Sequence, residues 1–136
     1  MRRYFADTWF FVALLDRRDS AHEIARQIAR TQTADALTTH DGVLTEFLAH
    51  FSDDGPMSRA AAVRFVRQSV LVHEVIPVSR TLFIAGLELY DRRRDKEYSH
   101  VDCMSMIVME DLGIRHVLTN DHHFTQAGFT IVNEAP

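Results

Sequence analysis

Four acidic side chains, Asp7, Glu46, Asp102 and Asp121, are the residues of this chain best suited to do chemistry. They lie far apart in sequence, yet an alternating strand and helix pattern brings all four to one edge of a single sheet. Carboxylates gathered within about 6 Å of one another raise each other's pKa unless a cation neutralises them. Hard oxygen donors select Mg²⁺ or Mn²⁺, which keep several waters and bind through one or two carboxylates at a time. Such an ion makes water acidic enough to attack a phosphodiester and holds the departing oxygen, so phosphodiester hydrolysis is the chemistry expected of the quartet.

Taken singly, each acid has an ordinary explanation. Asp7 ends the first strand and can cap the helix that starts at Thr8. Asp121 can form an Asx-turn ahead of His122. Asp102 follows Ser99 by three residues, the spacing of a capping box. On a helical wheel, however, it neighbours Met106 and Met109, and a carboxylate beside an apolar strip is costly unless paired. Glu46 sits at the margin of the apolar face of its helix, between Thr45 and Phe47. The metal reading therefore rests on convergence of the four.

Around them stand candidate helpers. Thr8 and Thr119 flank two of the acids and can orient carboxylates by hydrogen bonding, with capping and strand propensity as the equal alternative. Asp95 is a further supporting candidate, although its polar connection marks it first as a loop residue. Arg92, Arg93, Arg94 and Lys96 precede the Asp102 helix and place positive charge where RNA phosphates would need a foothold; a solvated loop is the ordinary reading of such a run. His122 and His123 read as turn residues within reach of substrate, because an adjacent pair without a spaced histidine is a weak ligand set.

The elements that must position these groups follow from apolar spacing. Arg3 to Ala6 reads as a strand, Thr8 to Leu15 as a buried helix and Ser20 to Gln32 as an amphipathic helix with Ala21, Ile24, Ala25, Ile28 and Ala29 on one face. A short strand, Ala36 to Thr39, leads to a helix from Asp41 or Gly42 with Val43, Leu44, Phe47, Leu48 and Phe51 inward. After the break at Ser52 to Pro56, a helix from Ser58 to about Leu71 precedes a strand within His73 to Val78, where Pro77 points to a strand end or a sheet edge. Ser79 to Arg93 is helical, with Leu82, Phe83, Ala85, Gly86 and Leu89 inward. Ser99 to Leu112 is helical and ends at Gly113; Arg115 to Thr119 and Phe129 to Val132 are strands. Alternation of this kind implies an α/β fold, a three-layer α/β/α sandwich around a mainly parallel sheet, whose carboxyl edge is the ligand edge.

Composition narrows the class. At 136 residues and 46% hydrophobic, residues 1–136 are expected to form one domain. The lone Cys103 suits a reducing compartment. Apolar runs such as Trp9 to Leu15 fall well short of the roughly 18 residues of a membrane span, so a cytoplasmic protein with no membrane contact is expected. The net charge of -4 gives no global attraction to nucleic acid, but an acidic metal site accounts for that sign and local charge matters more. Lys96 is the one lysine among 15 basic residues; codon bias and the bidentate phosphate contacts of arginine both explain this.

Phe5-Ala6-Asp7-Thr8, Leu44-Thr45-Glu46-Phe47, Asp95-Lys96-Glu97-Tyr98-Ser99-His100-Val101-Asp102-Cys103 and Leu118-Thr119-Asn120-Asp121-His122-His123-Phe124, in that order along nearly the whole chain, resemble the PIN-domain ribonucleases, and among them the toxins of VapBC-type toxin–antitoxin pairs. The resemblance implies an endoribonuclease in which Asp7, Glu46, Asp102 and Asp121 bind Mg²⁺ or Mn²⁺ with Thr8 and Thr119 in support. It further implies RNA as substrate, a small antitoxin as partner and a homodimer. One departure is bulky Trp9 and Phe10 after Thr8, where small polar residues are common, which either narrows substrate access or improves packing.

Three other readings compete. The family includes RNA-processing nucleases that are not toxins. A catalytically inactive binding module would use the acids only as caps. A phosphoacceptor signalling domain would also be small, parallel and acid-edged, but it needs an aspartate at the end of a central strand, and the third strand here runs into Pro77-Val78-Ser79.

Overall fold

The computed structural model describes residues 2–32 and 37–135. Five strands, β1 (Tyr4–Ala6), β2 (Thr38–His40), β3 (Glu74–Ile76), β4 (His116–Leu118) and β5 (Thr130–Val132), form one sheet in the order β3-β2-β1-β4-β5. Every pairing is parallel. β3 is an edge strand that stops just before Pro77, whose ring nitrogen has no proton to give to a ladder. Ala36, expected to open the second strand, lies outside the described residues, and the strand runs one residue further than expected, to His40.

The helices are α1 (Thr8–Leu15), α2 (His22–Thr31), α3 (Asp41–His50), α4 (Pro56–Val72), α5 (Arg80–Arg92), α6 (His100–Leu112) and α7 (His122–Gln126). From β1 the chain steps through β2 to β3 on one side, then returns to place β4 beside β1 on the other. Right-handed crossovers in opposite directions put their helices on opposite faces. Accordingly α1 packs on α2 and α3, and α3 on α4, whereas α5 and α6 pack on each other. The result is the expected α/β/α sandwich, with β1 in the centre and the reversal of strand order between β1 and β4.

Local chemistry sets the boundaries. Ser79 caps α5 by accepting from the Leu82 amide. Ser99 and Asp102 complete the capping box of α6, each side chain accepting from the other's amide. Gly113 ends that helix in the left-handed region at φ 68°, a conformation that a side chain disfavours. Helix α6 is apolar over most of its surface and buries Cys103, Met104, Met106, Val108 and Met109, while α5 leaves Phe83 over a third exposed. The inward assignment of Phe83 is thus corrected: it lies on the rim, against His100 and below Arg80.

An aromatic cluster pins the first, third and fourth helices together. Phe47 stacks on Phe65 at 4.9 Å between centroids, and Phe11 meets both edge-on. Phe10 is fully buried beside Phe11, so this part of the bulky Trp9-Phe10 pair serves packing. Because Phe47 is adjacent to Glu46, the cluster also fixes where the Glu46 helix lies. Among the described residues no helix is long and apolar enough to cross a membrane. Phe47→Ala is expected to remove about 3–5 kcal/mol of stability, read as the shift in a urea unfolding curve; a loss below 1 kcal/mol, roughly that of a surface change, would contradict a central role for the cluster.

Candidate active site

The site lies where β1 and β4 run side by side into the reversal of strand order, the position at which open parallel sheets bind ligands. Asp7 follows β1 directly. Its amide donates to the Leu118 carbonyl at 3.2 Å and its carbonyl accepts from the Phe10 amide at 3.1 Å, so the backbone at Asp7 belongs to both sheet and helix. The residue occupies the N-cap position of α1, yet its side chain makes no capping bond. Instead Asp7 Oδ2 accepts a hydrogen bond of 2.8 Å from the buried Thr119 hydroxyl, across the strand reversal. With 7% of its surface exposed, this carboxylate is buried for something other than helix capping.

The remaining acids close in on it from three elements. Glu46 projects from α3, and its Oε1 accepts from the Thr8 hydroxyl at 2.5 Å. Asp102 stands in the first turn of α6, where the Ser99 amide donates to its Oδ2 at 3.1 Å. Asp121 caps α7 by accepting from the His123 amide at 2.9 Å, and its own amide donates to Thr119 Oγ1 at 3.2 Å. Thr119 therefore ties Asp7 to the turn that carries Asp121. For Asp102 and Asp121 the capping explanation holds as well, and both roles coexist in one side chain.

Electrostatics record the convergence. Burial pushes the Asp7 carboxyl up from its ordinary 3.8 to about 7, against the hydrogen bonds from Thr119 and the Thr8 amide, and the charges of Asp102 and Glu46 add to the rise. Burial also raises Asp102, with Asp121 adding to it and His123 opposing, and raises Glu46, with Asp102 adding. Asp7 thus feels Asp102 and Glu46, and Asp102 also faces Asp121.

His123 is the group that sequence reasoning undervalued. Its Nδ1 lies 3.1 Å from Asp121 Oδ1 and 3.6 Å from Asp102 Oδ2. The buried nitrogen is nevertheless aligned with neither and has no hydrogen-bond partner among the described residues. Ligand atoms of Asp102, Asp121 and His123 all lie within 4.8 Å of one another, a spacing compatible with one shared cation. The signal available in sequence was its place two residues after Asp121, one turn position from the acid it faces. A buried, unpartnered nitrogen and a half-buried set of mutually repelling carboxylates are the donor chemistry that a divalent cation satisfies.

The other candidates lie further out. Asp95 is exposed and accepts two hydrogen bonds from the Arg93 guanidinium, at 3.0 and 3.1 Å, so the bonds it makes are to the basic run and not to the acids. Arg94 pairs with Asp91 at 2.6 Å and Lys96 approaches Asp95 at 4.0 Å. Arg92 ends α5. Arg93 has a link to the site, because it lies 5.9 Å from the centre of the Tyr98 ring, which meets His123 edge-on at 5.6 Å.

The metal-free protein carries a testable signature of the buried carboxyl. Since its folded pKa lies above its unfolded value, Asp7 contributes stability that is fully present below about pH 3.8 and lost as pH rises through about 7. In EDTA, the melting temperature of the wild type is expected to fall across that interval relative to Asp7→Asn, which has no such proton to lose. Equal pH profiles for the two proteins would contradict the burial of an ionisable group there.

Comparison with known proteins gives the same arrangement a lineage. Residues 4–130 match the PIN domain family. The chain is 30% identical over 128 residues to the 23S rRNA-specific endonuclease VapC20 of Mycobacterium tuberculosis, a match covering 94% of this chain and 96% of that protein. The crystal structure of VapC20, described as a Sarcin-Ricin loop cleaving toxin, superposes with a TM-score of 0.85 at 30% identity, covering 98% of this chain and 99% of the other. A match over nearly the full length, in sequence and in fold, means that this chain belongs to the PIN domain family.

Proposed function

We propose that this protein is a metal-dependent endoribonuclease, the toxin of a type II toxin–antitoxin pair, with Asp7, Glu46, Asp102 and Asp121 as its catalytic and metal-binding residues. The observation that carries the reading is Asp7: an aspartate at a helix N-cap whose side chain makes no capping bond, buried within electrostatic reach of Asp102 and Glu46. Its likeness to VapC20 over the whole chain makes structured ribosomal RNA, and 23S rRNA first, the substrate class to test.

The residues divide the work. Asp7, Glu46, Asp102 and Asp121 are assigned to the cation: ligand atoms of Asp102, Asp121 and His123 lie within 4.8 Å of one another, and the Asp102 charge in turn acts on Asp7 and Glu46. Oxygen donors dominate the set, which favours Mg²⁺ or Mn²⁺, and the imidazole inclines the choice toward Mn²⁺. When bound, the cation supplies the positive charge that makes water a stronger nucleophile and stabilises the departing oxygen. Thr119 holds one oxygen of Asp7 and Thr8 one oxygen of Glu46, so neither acid must reorder when phosphate arrives. Glu46 is the acid placed to take a proton from attacking water, its carboxyl raised above the ordinary value by burial and by Asp102. Arg93, joined to the site through Tyr98, is the basic residue best placed to meet a flanking phosphate; Arg92, Arg94 and Lys96 add general attraction.

A small antitoxin and a second copy of the chain are the partners proposed. Helix α5 leaves Phe83, Leu87 and Tyr90 exposed along one side with Ile84 next to them, an apolar strip that a partner would cover. A cytoplasmic location fits a nuclease acting on ribosomal RNA. An RNA-processing role without toxicity is the second reading, and growth arrest on expression of the wild type but not of Asp7→Asn separates the two.

Purified protein is expected to cleave 23S rRNA with Mg²⁺ or Mn²⁺ and to be silent in EDTA. Asp7→Asn and Asp102→Asn should each lower the cleavage rate at least ~100-fold, the scale on which metal sites depend on their ligands. Cleavage that survives EDTA, or a fully active Asp7→Asn, would refute the reading, and so would calorimetry that detects no Mn²⁺ binding at millimolar ion.

A further inference from the structure

Two of the four acids sit on helices that belong to opposite faces of the sheet, Glu46 on α3 and Asp102 on α6. Their separation must be held against mutual repulsion, and a buried polar side chain lies between the two helices. His40, the last residue of β2, is fully buried. Its Nδ1 accepts from the Gly42 amide at 3.0 Å and so caps the amino end of α3. An accepting Nδ1 on a neutral ring fixes the proton on Nε2, which donates to Ser105 Oγ at 2.9 Å. Ser105 in turn donates to the Val101 carbonyl, one turn back along α6. Each partner in this chain has a complementary role, so only one tautomer satisfies it. Burial keeps the ring neutral, its pKa pushed down to about 4.

The surroundings leave little slack. The ring packs on Phe5 of β1 at 5.8 Å, two residues before Asp7. A Cβ on residue 42 would come within 2.8 Å of the His40 ring and 3.3 Å of the Met104 terminal carbon. Glycine at that position therefore lets α3 approach both His40 and α6 closely. Ser105 lies one helical turn beyond Asp102, and Glu46 four residues beyond Gly42. His40 thus touches the strand that leads to Asp7, the helix of Glu46 and the helix of Asp102.

We propose that His40 is a positioning residue: through Gly42 on one side and Ser105 on the other, it sets the distance between Glu46 and Asp102 and with it the affinity of the site for its divalent cation. This rests on the metal-dependent reading above for its effect on the ion, but the geometric part stands apart from it. Ordinary core histidines contribute stability alone. A positioning role has consequences for metal binding in protein that is still folded.

The test uses Ser105→Ala, which breaks the link from the α6 side, and His40→Asn, which retains a side-chain oxygen able to cap α3 but is too short to reach Ser105. The double variant completes the cycle. Calorimetric titration with MnCl₂, well below each melting temperature, is expected to give a Kd weaker by about 10-fold in either single variant, as for groups that orient metal ligands. The double variant should be no weaker than the weaker single, because both break one link. With RNA, kcat should fall while KM holds. Crystal structures of wild type and Ser105→Ala without metal should differ in the Glu46 to Asp102 separation. Unchanged Mn²⁺ affinity in folded Ser105→Ala, or additive losses in the double variant, would overturn the proposal, as would an unchanged separation between the two acids. If the wild type binds no Mn²⁺ at all while the separation does change, the metal reading fails and the positioning role of His40 stands.

Discussion

Gathering four carboxylates at one edge of a sheet is unfavourable, and much of this molecule is arranged around holding them there. Like charges in a partly buried place raise one another's pKa and strain the fold unless something positive joins them. The pKa of Asp7 is pushed up chiefly by its burial at the end of β1, with the charges of Asp102 and Glu46 adding to it. The Thr119 hydroxyl offsets part of it, and because the same oxygen accepts from the Asp121 amide, one threonine organises two acids. The strand order explains why such a bond can form at all. Only at the reversal between β1 and β4 do two strand ends diverge to opposite faces and leave room above the sheet for a ligand.

The ordinary and the functional explanations of the acids are not exclusive. Asp102 completes a capping box and Asp121 caps α7, yet both also face His123 and the common position. A helix amino terminus provides amide donors that hold a carboxylate in place without using its negative charge fully, so capping is a means of aiming it. Asp7 differs because its side chain, although at an N-cap position, makes no capping bond and turns to Thr119 instead. That asymmetry separates a site from a collection of helix starts, and it fits a family whose relative VapC20 is an endonuclease.

Much of this was legible in sequence where the signal was local. The Ser99 and Asp102 spacing gave α6 its start, Gly113 its end and Pro77 the sheet edge, and the order of strands and helices led to the layered fold and to the edge where Asp102 and Asp121 meet. What escaped depended on groups whose roles are set by three-dimensional neighbours. His123 looked like a turn residue because its partners come from α6 as well as from its own turn. His40 carried no periodic signal, since a three-residue strand buried throughout shows no alternation. Phe83 was assigned inward on helical spacing, but α5 packs on α6 through a narrower face and leaves that ring at the rim. Asp95 opens one of the segments that carry the family resemblance, whereas its side chain turns to Arg93.

The claim on which the account depends is that these acids share one cation. Diffraction from crystals soaked in millimolar MnCl₂, recorded where manganese scatters anomalously, tests it without reference to activity. The account predicts an anomalous peak within about 2.5 Å of oxygens from Asp7, Asp102 or Asp121, the bonding range of a hard divalent ion. A fully soaked crystal with no peak among these residues, or with manganese bound only elsewhere, would contradict it.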